Sequence, residues 1–325
     1  MNDNFWKKLP KPFFALAPML DITDSPFRQI VSECGKPDVF YTWFVSVDGL
    51  CSVGKNNLLS TPNINFTEKE KPIVIQLFGK DPEKFFESAK IMAKLGFDGI
   101  DINMGCPDKD VLKQGAGAQL IKNPKLAREI IRATKRGAQS ASRRIPVSVK
   151  TRVGFYKSDE MNDWIMELAR EKPSAICLHG RTAKQKYGGT SDWKNISEAV
   201  RIMRGSGIII IGNGDVKNME EGRMKAEKSG ADGIMIGREI LNNSWIFDKN
   251  KKEISKDDKL KMLVKHAILF EKHYKNIRKF GNFRKYFKCY ISGFEGAKEI
   301  RENLMKAKNG EEIKKIFLDS KQQII

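Results

Sequence analysis

The chain has 325 residues, with 59 Lys and Arg against 40 Asp and Glu, for a formal charge of +19. At 40% apolar residues it can bury a core, which excludes wholesale disorder. Its length suits about two domains, or one parallel α/β barrel of roughly 250 residues with a small appendage.

The N-terminal stretch MNDNFWKKLPKPFFALAPM is basic but has no long apolar run and no small-residue cleavage site, so a secretory signal is not expected. Nowhere does an apolar run approach the ~20 residues of a membrane span. Short apolar runs follow in order: FFALAPM (Phe13 to Met19), VFYTWF (Val39 to Phe44), IVIQLF (Ile73 to Phe78) and GIDINMG (Gly99 to Gly105). After them come VSVKTRV (Val147 to Val153), AICLHGR (Ala175 to Arg181), IIIIGNG (Ile208 to Gly214) and GIMIGR (Gly233 to Arg238). Near-continuous hydrophobicity suits strands covered on both faces, as in a parallel sheet. Helical patterns separate them. Pro82 to Leu95 has Asp81 as N-cap and a stop at Gly96; Pro124 to Gly137 has Asn123 as cap; Asn218 to Ser229 ends at Gly230. Eight alternating units predict an α/β fold, a (β/α)8 TIM barrel over about residues 13–245, in preference to a doubly wound open sheet.

Past Trp245 the texture changes. Lys249 to Lys259 reads as a charged linker, and from Leu260 the pattern is helical throughout, so a small all-helical domain of three or four helices is expected. The expected domains are residues 1–248 and 249–325. Residues 251–325 hold 20 Lys and Arg against 10 Asp and Glu, a net +10. Such concentration of positive charge points to a polyanion, above all nucleic acid.

Barrel chemistry sits where strands end. Those ends carry Pro18 and Met19, Gln76, Asn103 to Pro107, Lys150 to Arg152, His179 to Arg181, Asn213 to Asp215, and Gly237 with Arg238. Polar groups interrupting apolar strands are costly unless satisfied, so their gathering at one rim indicates a ligand. The GNG and IGR loops after strands seven and eight lie where this fold often holds phosphate: glycine admits close backbone N–H groups and Arg238 adds charge. Gln76, Lys150 and His179 supply hydrogen bonds and a cation of the kind a flat redox ring needs, so the set suits FMN. Cys106, between a glycine and a proline at a strand end, is the candidate for proton chemistry, because a thiol with a pKa near ~8.5 is protonated at neutral pH. The following Lys- and Gly-rich segment, Asp108 to Pro124, has the composition of a mobile lid. The five cysteines are odd in number, widely spaced and without a C-x-x-C pair, which predicts no disulfide framework, no metal site and a reducing, cytoplasmic setting.

Together these stretches resemble the FMN-dependent tRNA-dihydrouridine synthases. The resemblance lies in APMLDITDSPFR (Ala17 to Arg28), IQLFG (Ile75 to Gly79), DINMGCP (Asp101 to Pro107), GAGAQLIKNP (Gly115 to Pro124), VKTRVG (Val149 to Gly154) and LHGRTAKQKYGG (Leu178 to Gly189). It continues through SDW (Ser191 to Trp193), IGNGDV (Ile211 to Val216), DGIMIGR (Asp232 to Arg238) and the tail motif from Phe283 to Leu304. It implies that NADPH reduces FMN, that hydride passes to carbon 6 of a tRNA uracil, and that Cys106 protonates carbon 5. By position it puts Pro18, Met19, Gln76, Lys150, His179, Asn213, Gly214, Asp215, Gly237 and Arg238 on the flavin. Asn103, Arg152, Arg181 and Lys184 fall on the uridine side, and Arg284, Lys285, Lys288 and Arg301 on the tRNA grip of a monomer. Two departures stand out: Trp43 where relatives generally carry an acid, and Tyr286 where histidine is frequent. A flavin barrel acting on a small molecule has no need of the basic tail, and a catalytically dead RNA-binding barrel has no need of Cys106, Lys150 and His179 together.

Overall fold

A computed structural model describes residues 4–52, 64–250 and 253–322. Strands and helices alternate: β1 (Phe13–Leu16), α1 (Ser25–Cys34), β2 (Phe40–Ser46), α2 (Val47–Ser52), β3 (Ile73–Phe78), α3 (Pro82–Lys94), β4 (Gly99–Met104) and α4 (Lys109–Lys113). They continue with α5 (Pro124–Gln139), β5 (Val147–Arg152), α6 (Met161–Ala169), β6 (Ala175–His179), α7 (Trp193–Ile202), β7 (Ile209–Asn213), α8 (Met219–Ser229) and β8 (Gly233–Ile236). The hydrogen-bonded order is β1-β8-β7-β6-β5-β4-β3-β2, with every neighbour parallel. A bridge between Ala15 and Val39, with Leu16 N–H donating to Val39 O at 3.0 Å, joins β1 back to β2. The fold is the expected (β/α)8 barrel, and each strand falls within its apolar run except β2, which continues two residues past Phe44 to Ser46.

At the entry to the strands one device recurs. Asp38, Asp98 and Asp232 stand just before β2, β4 and β8, and each carboxylate accepts a backbone N–H of the adjoining strand: Phe14, Ile73 and Ile210, at 2.8–2.9 Å. The helix starts follow the expected caps. Asp81 accepts from Glu83 N–H, Asn123 from Leu126 N–H and Asn218 from Glu221 N–H, each worth about 1 kcal/mol of helix stability. One end differs from expectation. Helix α5 runs through Gly137 to Gln139, because Gly137 is a packing residue and not a stop: a Cβ there would lie 2.2 Å from Phe86 O of α3.

Among the described residues two compact units are distinct, Met1–Thr23 with Pro37–Gly237, and Asp24–Lys36 with Arg238–Ile325. Helix α1 therefore groups with the C-terminal helices: α9 (Lys256–His273), α10 (Phe287–Tyr290), α11 (Ala297–Leu304) and α12 (Gly310–Gln322). The FRKYFKCYISGF stretch, expected as a helix, is a 3-10 turn, Phe280–Tyr286, followed by the single turn α10. Its rings Phe283, Tyr286 and Tyr290 converge on buried His266 together with Phe27 of α1. His266 Nδ1 lies 2.9 Å from the Tyr290 hydroxyl, and burial pushes its pKa down to about 3, so the ring is neutral. Lys251 and Lys252 of the expected linker lie outside the described residues.

Candidate active site

Inward side chains follow a period of two along the barrel strands. Phe13, Ala15, Ala17, Val39, Tyr41, Val74, Ala175, Cys177, Ile209, Ile211 and Met235 form one apolar cluster with Trp6 of the 3-10 turn Phe5–Lys8. Nearer the strand ends the inward positions are Gln76, Asn103, Lys150, His179 and Asn213, with Gly237 after β8; on β3, β6 and β7 they follow apolar cluster residues, whereas on β4 and β5 the positions two residues earlier, Asp101 and Ser148, are already polar. Register pairs Gln76 with Asp101, Asn103 with Lys150, and His179 with Asn213. Six of the expected flavin and uridine residues thus share one rim, above an apolar floor. Pro18 and Met19, half-buried, follow β1 at the same level.

The rim is tightly bonded. Lys150 Nζ donates to Asn213 Oδ1 at 3.1 Å, and Asn213 Nδ2 donates to Met235 O at 2.8 Å. Burial lowers the Lys150 pKa, and nearby Arg152 adds to the shift. Gln76 Nε2 donates to Asp101 Oδ2 at 2.7 Å, and Asn103 Nδ2 to Gln76 Oε1 at 3.0 Å. Asp101, fully buried, also accepts the Ser148 hydroxyl at 2.6 Å. Burial raises its carboxyl to about 6, against the lowering effect of these hydrogen bonds and of Lys150. In the sequence Asp101 stands out only as part of DINMGCP, and neither it nor Ser148 was expected in the site. The available signal was a carboxylate on an inward position of an otherwise apolar strand. Trp43 is buried within β2, at a shift of register between Tyr41 and Phe44. There Thr42 Oγ1 accepts the Gln76 N–H at 3.2 Å.

Cys106 is half-buried. Its N–H donates to Asn103 Oδ1 at 2.9 Å and its carbonyl accepts Ala118 N–H at 3.0 Å. Burial pushes its thiol above the ordinary range, against the opposing pull of the Asp108 N–H and the Arg152 and Lys150 charges. The segment after it folds onto it as α4 and a 3-10 turn, Gly117–Lys122; a Cβ at Gly117 would lie 2.8 Å from Cys106 O.

Arg152 and Arg181 are buried and their donors meet loop carbonyls. Arg152 donates to Gly105 O, Thr182 O and Lys186 O at 2.7–3.0 Å, and burial lowers its pKa to about 10. Arg181 donates to Gly188 O and Gly189 O, and both its Nη atoms reach the Asp215 carboxylate. Asp215 is consequently a partner of Arg181 and of the Ser191 N–H. Its backbone has φ 48° after Gly214 at φ 118°, where a Cβ would meet Ser191 Oγ at 2.2 Å and His179 Cδ2 at 2.8 Å. His179 Nε2 lies 3.4 Å from Arg181 Nη1. Lys184 is exposed on the same loop. Arg238 begins the C-terminal segment of the second unit.

In that unit Arg284 and Lys288 are exposed, Lys285 sits with its ammonium 5.2 Å from the Tyr286 ring centre, and Arg301 donates to Ile291 O. Tyr286 and Tyr274 hydroxyls both lie 3.2 Å from Asp24 Oδ2, while Asp24 Oδ1 accepts the Phe27 N–H at 2.9 Å. Burial raises Asp24 to about 6. The tyrosine at 286 is thus bonded to the cap of α1. No group of three or more His, Cys, Asp or Glu able to hold a metal ion occurs among the described residues, and no helix there is long and apolar enough to cross a membrane.

A parallel barrel with its polar side chains at the C-terminal strand ends is the frame of an α/β-barrel enzyme. A family model described as dihydrouridine synthase (Dus) matches residues 15–324. A protein of Staphylococcus aureus (strain COL), described as a probable tRNA-dihydrouridine synthase, is 41% identical over 310 residues, spanning 94% of this chain and 92% of its own. A Bacillus subtilis (strain 168) protein, described as probable tRNA-dihydrouridine synthase 2, is 38% identical over 329 aligned positions, 100% of this chain and 99% of its own. The solved structure of histamine dehydrogenase from Rhizobium sp. 4-9 is similar in fold alone, with a TM-score of 0.53 at 12% identity over 79% of this chain and 48% of that one. The chain belongs to the dihydrouridine synthase family.

Proposed function

We propose that this protein reduces the carbon 5–carbon 6 bond of a uridine in tRNA, with FMN as its bound cofactor, NADPH as reductant and Cys106 as proton donor. The observation that carries the reading is the gathering of Gln76, Asn103, Lys150, His179 and Asn213 at the C-terminal strand ends, with Cys106 directly after one of those strands. The donor set fits a flavin. Lys150 has three N–H donors and one bonded acceptor among the described residues, Asn213 Oδ1. A Cβ at Gly237 would meet only Ala17 Cβ, at 3.6 Å, so the strand-eight end leaves room for a ligand.

When bound, FMN supplies the hydride for carbon 6. In this reading Gln76, Lys150, His179 and Asn213 hold its ring, and Gly214, Gly237 and Arg238 its phosphate, with Pro18 and Met19 alongside and Asp215 bracing the phosphate loop through Arg181. Cys106 keeps its proton because burial raises the thiol, and delivers it to carbon 5. Asn103, Arg152, Arg181 and Lys184 form the uridine side. The two arginines act there by holding the loops at 105 and 182–189, and Lys184 by meeting phosphate. Arg284, Lys285, Lys288 and Arg301 grip the tRNA from the helical unit, whose formal charge is the densest in the chain. The test is purified protein with FMN, NADPH and an unmodified tRNA transcript, scored for dihydrouridine by mass. Product that depends on all three supports the reading, and none formed under any flavin loading refutes it.

A further inference from the structure

A run of hydrogen bonds between the barrel interior and the Cys106 loop has a direction fixed by its last members. Gly105 and Cys106 N–H groups both donate to Asn103 Oδ1, at 3.1 and 2.9 Å. Backbone N–H groups only donate, so the atom they meet is the amide oxygen. The Asn103 NH2 must then face the other way, and it donates to Gln76 Oε1 at 3.0 Å. That leaves the Gln76 NH2 for Asp101 Oδ2, at 2.7 Å. Asp101 Oδ1 accepts the Ser148 hydroxyl at 2.6 Å. The carboxylate is the one member that accepts on both sides, so every donor in the run points toward it. Asn103, Gln76, Asp101 and Ser148 are each 6% exposed or less, so water does not replace a missing partner.

We propose that Asp101 is a positioning residue for Cys106: its carboxylate sets the direction of the Gln76 amide, and through the Asn103 amide it fixes the Gly105–Cys106 backbone that carries the thiol. The catalytic consequence rests on the reading of Cys106 as proton donor; the hydrogen-bond relay does not. An isosteric amide at 101 that turned its NH2 toward Ser148 would leave that hydroxyl only Ile100 O, at 3.5 Å, so the amide oxygen keeps the Ser148 side and NH2 faces Gln76. Gln76 then reverses, Asn103 reverses after it, and an NH2 faces the two backbone N–H groups that need an acceptor. Moving the carboxylate one step along, to position 76, restores the order: the amide at 101 donates to it, and Asn103 donates to it from the other side.

The experiment uses the full chain as purified and follows iodoacetamide alkylation of each cysteine by peptide mass, with exposed Cys51 as internal reference. Asp101→Asn is expected to speed Cys106 alkylation about ten-fold, the loss of roughly one hydrogen bond holding the loop. Asp101→Asn combined with Gln76→Glu is expected to return it to within about two-fold of the native rate, and Cys51 to be unaffected throughout. An unchanged Cys106 rate in the single variant overturns the proposal, as does a double variant no slower than the single one. Should Asp101→Asn fail to fold, Ser148→Ala carries the comparison, since it removes a donor and keeps the order. A rate within about two-fold of native supports the relay and a ten-fold rise overturns it. Cys106→Ala tests the proton-donor reading separately: native product yield from it removes Cys106 from the chemistry and leaves the alkylation comparison intact.

Discussion

Arg181 and Asp215 meet edge to edge, Nη1 lying 2.9 Å from Oδ1 and Nη2 2.8 Å from Oδ2. The same guanidinium also holds Gly188 O and Gly189 O, so one planar cation ties the loop after β6 to the residue that follows Gly214. Lysine keeps the charge but lacks the fork. Arg181→Lys is expected to destabilise the protein by about 1–3 kcal/mol, below the cost of breaking a fully buried pair because Asp215 is 32% exposed. The readout is the urea midpoint at unchanged slope, with trypsin cutting at Lys184 or Lys186 in native buffer. Equal midpoints in the two proteins refute it.

Lys150→Met retains length and removes the cation. FMN affinity is expected to fall about 10–100-fold, the worth of a charged hydrogen bond in a buried setting. Equilibrium ultrafiltration of protein with FMN measures it. An unaltered dissociation constant removes Lys150 from the flavin.

Cys106→Ala is expected to retain FMN and NADPH oxidation while lowering dihydrouridine formation by roughly 10²–10⁴-fold. Because burial raises the thiol, the native enzyme is expected to hold its protonated form through neutral pH and lose product formation only on the alkaline side. Single-turnover yields across pH check both statements, and a native-like yield from the alanine variant contradicts the first.

Asp24 links pH to stability. Its folded carboxyl is raised to about 6 from an ordinary 3.8. Between these values the folded state binds the proton that the unfolded state has released, so this group's contribution is complete below the lower value and is lost as pH rises to the upper one. Asp24→Asn does not titrate. The variant's stability relative to native is therefore expected to improve by on the order of 3 kcal/mol between about pH 4 and pH 7. Urea unfolding at several pH values reads the difference, and a flat difference would falsify the assignment.

Removing charge at Arg284, Lys285 and Lys288 is expected to weaken tRNA binding and to flatten its salt dependence by roughly one unit for each phosphate that is no longer neutralised. NADPH oxidation by bound FMN is expected to persist. Binding titrations at several salt concentrations provide the check. Native affinity and slope in the triple variant would move the RNA surface to the barrel loops around Lys184.

The barrel was legible because its signal is local: eight apolar runs of strand length, all but the first with a polar residue at or just past the strand end. Gln76, Lys150, His179 and Asn213 came with it, since strand ends in this fold share one rim. What escaped depended on partners distant in sequence. Arg152 and Arg181 carry the same letters whether they face phosphate or the carbonyls of Gly105 and Gly188, and only folding decides. Gly137 looked like a helix stop because the close passage of Phe86 O is invisible in one dimension. Asp101 lay inside a recognisable motif, yet its role needs Ser148, Gln76 and Asn103 around it, with Gln76 and Ser148 on the two flanking strands. Asp24 lay inside APMLDITDSPFR without being singled out, and nothing local marks it as the acceptor for hydroxyls about 250 residues later, at Tyr274 and Tyr286.

That separation sets a schedule for synthesis. Helix α1 emerges from the ribosome early, but Arg238, where its unit resumes, lies roughly 200 residues after Lys36. At about 5–20 residues per second the wait is some 10–40 s. Throughout it Phe27 lacks the rings of His266 and Tyr286, and the Asp24 carboxylate lacks both hydroxyls. The nascent chain thus carries Phe27 and Asp24 without these partners for most of its translation, and they meet them only when the last quarter of the message has been read.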